Sequence, residues 1–216
     1  MSRQEIWDFW AKAYESLWVQ KYSLEPTRGK ILQYLREYLD PDKAYRILDI
    51  GCGTGQLLRE IRVEFSGYKL ELLGIDYSKQ MVKVAEEHGG GIDYQQMNVS
   101  QIGNILGKFD IIICTHSFPY YEDQAKAIVQ INGLLDVGGY LLLAQASQNN
   151  LYDGIAMFFV KLTTGKAKYL SVKEVQHITE ECFQCEDLIK IKESPYMPSI
   201  YFFILAKREF KGDYKG

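Results

Sequence analysis

Apolar and polar positions change their period along this chain often enough to outline most of its elements. Ile6, Phe9, Trp10, Ala13, Tyr14 and Leu17 recur at intervals of three and four, which predicts an aromatic-rich helix over 6–18. Thr27 is placed to cap a second helix through Leu39, with Ile31, Leu32, Leu35 and Leu39 on one face, and Asp40-Pro41-Asp42 stops it. A second pattern then sets in. Short strand-like segments at 46–50, 70–75, 92–96, 109–114 and 139–145 alternate with stretches of helical spacing. One such helix starts at Gln56. A second, capped by Ser78, carries Met81, Val82 and Ala85 and ends at Gly89-Gly90-Gly91. The segment 123–135 is a third.

The run 109–114 is apolar almost throughout and bounded by Lys108 and Thr115, as expected of a strand buried on both faces of a parallel sheet. Ser171 and Glu174 form a capping box that opens a helix to about Phe183. Strands at 187–192 and 199–207 close the chain, joined by Pro195-Tyr196-Met197-Pro198. This alternation predicts an α/β fold: a doubly wound, mostly parallel seven-stranded sheet with helices on both faces. Between 147 and 170 the periodicity weakens and Gly154 and Gly165 appear, so this stretch reads as a lid over a binding site.

Composition narrows the class without naming a chemistry. A chain of 216 residues with 47% hydrophobic and 25% charged residues fits one globular domain, 1–216. The net charge of −3, with both signs mixed along the chain, provides no basic stripe for a nucleic-acid backbone. Met1-Ser2-Arg3-Gln4-Glu5 lacks an apolar signal core, and the run 155–160 is too short to span a bilayer. A cytoplasmic protein without membrane contact is the expectation, and the tail beyond Phe210 is expected to be loose. Cys182 and Cys185 have C-x-x-C spacing but no second pair, and neither His116 nor His177 stands at a zinc-motif distance, so no metal is expected. Oligomeric state is not encoded in any of these patterns.

The chemistry concentrates in Arg46-Ile-Leu-Asp49-Ile-Gly51-Cys52-Gly53-Thr54-Gly55, a strand running straight into a glycine-rich turn and then a helix. Such a turn needs unusual backbone angles, and a ligand touching its backbone needs the room a Cβ would fill. A dinucleotide turn would put its third glycine at position 56, where Gln56 stands, and no Lys follows Gly55 as a phosphate loop requires. Asp76 ends the second strand about twenty residues beyond the last glycine, where a carboxylate can accept from two ribose hydroxyls. Its removal should leave folding little affected if it is an exposed strand-end acid.

The block resembles the first motif of the class I S-adenosylmethionine-dependent methyltransferases, apolar-Asp-apolar-Gly-x-Gly-x-Gly. Specific motifs carry the resemblance over roughly 45–145, and the rest follows by element order. It implies S-adenosylmethionine as cofactor, held by Asp49, Gly51, Cys52, Gly53, Gly55, Asp76, Tyr77 and Met81, with Thr115 at the exit of the fourth strand. Asn98 and Val99 occupy the place of the family's adenine-contacting Gly-Asp-Ala, with Asn98 replacing Asp. Leu135-Asp136-Val137-Gly138-Gly139 is similar to its Leu-x-Pro-Gly-Gly turn, with Val137 replacing proline. Ala11-Lys12-Ala13-Tyr14 fits loosely an amino-terminal segment that closes over the cofactor, which makes Tyr14 a lid residue and 1–40 the lid region. The last two strands should form an antiparallel hairpin at the sheet edge.

The implied activity is methyl transfer to a small-molecule acceptor. Phe118, Tyr120 and Tyr121 stand where acceptors bind. The family's common histidine is replaced by Pro119, which leaves His116 as candidate base, although a lone His is more often a structural hydrogen-bonder. Three rivals remain open in the sequence. Ser117-Phe118-Pro119-Tyr120 faintly resembles the Asn/Asp-Pro-Pro-Tyr motif of RNA and tRNA base methyltransferases, but lacks its first proline. The others are a non-catalytic S-adenosylmethionine-binding protein and an NAD-dependent oxidoreductase, the latter disfavoured by Gln56.

Overall fold

A computed structural model describes residues 3–16, 20–147, 167–192 and 199–208. Seven strands, β1 (Ala44–Ile50), β2 (Lys69–Asp76), β3 (Asp93–Gln96), β4 (Phe109–Thr115), β5 (Leu135–Ala146), β6 (Phe183–Ile191) and β7 (Ile200–Lys207), form one sheet in the order β3-β2-β1-β4-β5-β7-β6. β1 lies parallel to both β2 and β4, β2 to β3, and β4 to β5, while β7 runs antiparallel to β5 and β6. The sheet is therefore the mostly parallel, doubly wound one that the pattern predicts, with the hairpin at one edge. Residues 195–198, which join the hairpin strands, lie outside the described residues, as do 148–166 of the proposed lid and the tail beyond 210.

The apolar runs are explained by a core on each face. Ile111 and Ile113 of β4 pack with Leu142 and Ala144 of β5 against α2 (Glu25–Tyr38), α3 (Gln56–Glu64) and α4 (Lys79–Glu87). Ile112 and Cys114 pack with Leu141 and Leu143 against α5 (Gln124–Leu134) and α6 (Val172–Thr179) on the other face. A strand covered on both sides has no polar face to show, so its sequence reads as an unbroken apolar run. Among the described residues no helix is long and apolar enough to cross a membrane.

Several boundaries differ from the sequence reading. The amino-terminal segment is α-helical only over α1 (Arg3–Trp10) and tightens into a 3-10 turn at Ala11–Ser16, while 17–18 lie outside the described residues. α2 begins at Glu25, two residues before Thr27, with Pro26 in its first turn and no side-chain cap. Thr27 is instead buried, its hydroxyl donating to the Ser23 carbonyl. The expected turn at 135–139 is a bulge within β5: Leu135 pairs with Phe109, and pairing resumes only at Tyr140 with Ile111. α6 ends at Thr179 and β6 starts at Phe183, four residues before the expected 187.

Candidate functional site

β1 hydrogen-bonds to β2 on one side and to β4 on the other, so the order of winding reverses between β1 and β4. Open α/β sheets bind ligands at such a point, beyond the carboxyl ends of the strands. There the glycine turn follows β1. Gly51, Gly53 and Gly55 all have positive φ, at 80°, 56° and 76°. Their reasons differ. A Cβ on Gly51 would collide with Ser117, and one on Gly55 with the Tyr94 hydroxyl. These two glycines are required by the protein's own packing. A Cβ on Gly53 would meet only the Tyr14 ring, at 3.5 Å, so Gly53 is the glycine that faces the amino-terminal segment.

Asp76 is tied into this turn. One oxygen accepts from Gly53 N–H at 2.9 Å and the other from Ser78 N–H at 2.8 Å. The expectation of an exposed acid without a folding role is thus corrected: Asp76 is half-buried and joins the glycine turn to the start of α4. Asp49, on β1, is 2% exposed, and its Oδ1 is buried without a hydrogen-bond partner. Burial, and secondarily the charge of Asp76, pushes the Asp49 pKa from 3.8 up to about 8. Burial raises the Asp76 pKa as well. No ion pair among the described residues compensates either carboxylate.

A pH dependence follows from Asp49. A raised pKa means that the folded chain holds a proton that the unfolded chain has released. The Asp49 contribution to stability is therefore present below the unfolded pKa near 3.8 and is lost as pH rises through about 8. Asp49→Asn should flatten this fall in melts of the ligand-free protein between about pH 4 and about pH 9. An identical pH slope in the variant would show that Asp49 is not the titrating group.

The amino-terminal segment seals the other side. Asp8 Oδ1 accepts from Ser78 Oγ at 2.5 Å and from Gln80 N–H at 3.2 Å. Glu15 Oε1 accepts from Thr54 Oγ1 and from Arg59 Nη2, each at 2.7 Å. Two carboxylates thus bind the segment to the starts of α4 and α3, on either side of the glycine turn. Between them Trp7 meets Tyr14 and Tyr120 edge-on, and Tyr120 in turn meets Tyr169. Behind this wall Gln20 Nε2 donates to the Tyr14 carbonyl, and Arg28 joins Gln20 to Glu60 of α3.

At the exit of β4, Ser117 Oγ donates to the Ile50 carbonyl at 2.8 Å and sits beside Cys114 Sγ and the Tyr121 hydroxyl. These contacts pin β4 to the end of β1. His116 has a φ of 59°, the one positive value among described non-glycine residues, and its Nε2 lies 3.0 Å from Thr27 Oγ1. Burial, with the Arg28 charge second, lowers its pKa from 6.5 to about 4.

The predicted site residues do not all fall together. Asp49, the glycine turn with Cys52, Asp76, Thr115, His116 and Tyr14 converge at the switch point. Asn98 and Val99 follow the end of β3, where Asn98 Oδ1 caps a 3-10 turn by accepting from Ser100 N–H. Tyr77 is 42% exposed, after the end of β2. Met81 is 2% and Phe118 0% exposed: both side chains belong to the core, which corrects Phe118 as an acceptor-wall residue. Tyr120 lies in the wall, whereas the Tyr121 hydroxyl is engaged below it with Cys114 and Ser117. Trp7, Asp8, Glu15 and Arg28 belong to no local motif and leave no sign in the sequence, and Ser117, although it stands in the Ser117-Phe118-Pro119-Tyr120 segment, takes its role from a carbonyl 67 positions away.

Residues 41–199 match the model of a methyltransferase domain family. A malonyl-[acyl-carrier protein] O-methyltransferase of Ilyobacter polytropus is 27% identical over 147 residues, covering 66% of this chain and 54% of that protein. A ubiquinone biosynthesis O-methyltransferase of Xanthomonas axonopodis pv. citri is 32% identical over 128 residues, 57% of this chain and 50% of that one. The chain spans about half the length of these curated relatives. Among solved structures, the N-methyltransferase NodS of Bradyrhizobium japonicum superposes with a TM-score of 0.73 at 16% identity, covering 97% of this chain and 100% of that one. Magnesium protoporphyrin IX methyltransferase of Synechocystis superposes at 0.69 and 18% identity, covering 89% and 88%. These structures share the fold, and the family model spans most of the chain. By the match over 41–199, this chain belongs to the methyltransferase domain family.

Proposed function

We propose that this chain binds S-adenosylmethionine at the β1–β4 switch point and transfers its methyl group to a small-molecule acceptor in the cytoplasm. One observation carries the reading. The acid that ends β2 is hydrogen-bonded to the middle glycine of the turn after β1, so a ribose-binding carboxylate and a ligand-facing backbone form one unit. The donor set also fits the cofactor's charges. Asp49 Oδ1 is buried with no partner among the described residues, so its carboxyl gains most from a ligand cation that draws it to the ionised form. Asp76 lies within reach of the same turn, so the site favours a ligand bearing cationic groups and hydroxyls. The solved structures of NodS and of the Synechocystis enzyme carry S-adenosylhomocysteine.

When bound, S-adenosylmethionine supplies a methyl group already activated on a sulfonium sulfur. What remains for the protein is alignment and exclusion of water. Asp76 accepts from the ribose hydroxyls, and Asp49 accepts from the ligand's ammonium. Asn98 and Val99 border the adenine end. Tyr14, Trp7 and Tyr120 form an aromatic wall that tolerates positive charge through cation–π attraction. The amino-terminal segment acts as the lid, held down by Asp8 and Glu15. Thr115 and His116 stand on the acceptor side.

Incubating the full chain with methyl-labelled S-adenosylmethionine and pools of small metabolites tests the assignment. Label should pass into a small product with release of S-adenosylhomocysteine. Label entering RNA while every metabolite pool stays unlabelled would overturn the acceptor class.

A further inference from the structure

The hydrogen bonds of Thr27 determine which nitrogen of His116 carries a proton. Thr27 Oγ1 lies 2.7 Å from the Ser23 carbonyl oxygen, which can only accept. The hydroxyl's single hydrogen is therefore committed to Ser23. Toward its other neighbour, His116 Nε2 at 3.0 Å, Thr27 can only accept. It follows that Nε2 bears the proton and that Nδ1 holds the lone pair. The arrangement is firmly built. Thr27 is 1% exposed, and the His116 backbone N–H is bonded to the Ala144 carbonyl at 2.8 Å. That backbone stands in the left-handed region, which a residue with a Cβ adopts only where surrounding contacts hold it.

We infer that Thr27 is a positioning residue, fixing His116 as its Nε2–H tautomer so that Nδ1 serves as proton acceptor for a methyl acceptor bearing O–H or N–H. The inference rests on the methyltransferase reading of this site. As the acceptor's lone pair forms its bond to the methyl carbon, the electron pair of the broken carbon–sulfur bond stays on the donor's sulfur. The acceptor's proton passes to Nδ1 and then to solvent. Burial keeps the free ring neutral at neutral pH, so the lone pair stands ready before the acceptor arrives.

Ring-nitrogen NMR of the full chain, with His116 assigned by His116→Gln, tests this directly. In the wild type Nε2 should be the protonated nitrogen and Nδ1 bare. Thr27→Ser, which keeps the hydroxyl, should preserve that signature. Thr27→Val should admit a detectable Nδ1–H population while leaving S-adenosylhomocysteine affinity within about twofold, because the Thr27 hydroxyl bonds to Ser23 and His116 and not to the glycine turn or Asp76. Label transfer into metabolite pools should fall in Thr27→Val and recover in Thr27→Ser. A wild-type Nδ1–H tautomer overturns the inference, and so does a Thr27→Val protein with unchanged tautomer and transfer. If Thr27→Val does not fold, the wild-type and Thr27→Ser spectra still decide the tautomer. A chain that shows the expected tautomer but binds no S-adenosylhomocysteine overturns the methyltransferase reading, and the proton-acceptor role with it.

Discussion

Gly53→Val should abolish S-adenosylhomocysteine binding and still yield a folded domain. At φ 56° a β-branched side chain costs about 1–2 kcal/mol against glycine, a modest loss for a chain with a core on each side of its sheet. Its Cβ would stand 3.5 Å from the Tyr14 ring, and the two further methyl carbons must enter the space between the turn and the amino-terminal segment. The same strain pulls the Gly53 N–H away from Asp76. Binding therefore suffers twice, by lost volume and by a disordered turn. The neighbouring glycines give the contrast. Gly51→Ala and Gly55→Ala would drive a Cβ into Ser117 and Tyr94, so their main expense is fold stability. Calorimetry together with thermal melts separates the two classes. Unchanged affinity in Gly53→Val would place the ligand elsewhere.

Asp76→Ala should weaken S-adenosylhomocysteine binding by at least about 2 kcal/mol, roughly thirtyfold, because two ribose hydroxyls lose a charged acceptor. The structure adds a second effect. Gly53 N–H and Ser78 N–H lose their partner, so the ligand-free variant should melt earlier, with each orphaned donor costing about 1 kcal/mol. Relief of the buried, pKa-raised carboxylate offsets part of that loss. A variant that melts much earlier yet keeps its affinity would make Asp76 a purely structural residue.

The parts of this molecule that were legible in the sequence are those whose cause is local. The strands buried on both faces announce themselves because each side of β4 must be apolar. Gly51-Cys52-Gly53-Thr54-Gly55 is readable because three positive φ values within five residues demand glycine. Ser78 reads as a cap because its partner, Met81 N–H, is three residues away. Thr27 misleads for the opposite reason. Its hydroxyl looks like a cap in sequence, while its second partner, His116, is 89 positions distant. Glu15 with Arg59, 44 positions apart, and Arg28 with Glu60, 32 apart, leave no periodic trace. Phe118 reads as a wall residue by its place after β4, but the 3-10 turn at Phe118–Tyr120 swings its ring into the core and leaves Tyr120 in the wall. The motif marks all three glycines, but only the fold shows that two serve packing and one faces the amino-terminal segment.

We propose that the glycine turn and Asp76 hold S-adenosylmethionine. Titration calorimetry of the full chain with S-adenosylhomocysteine and, separately, with NAD tests it most directly. Saturable one-site binding of S-adenosylhomocysteine, greatly weakened in Asp76→Ala, and no heat with NAD are the expected results. Tight binding of NAD with no response to S-adenosylhomocysteine would contradict it.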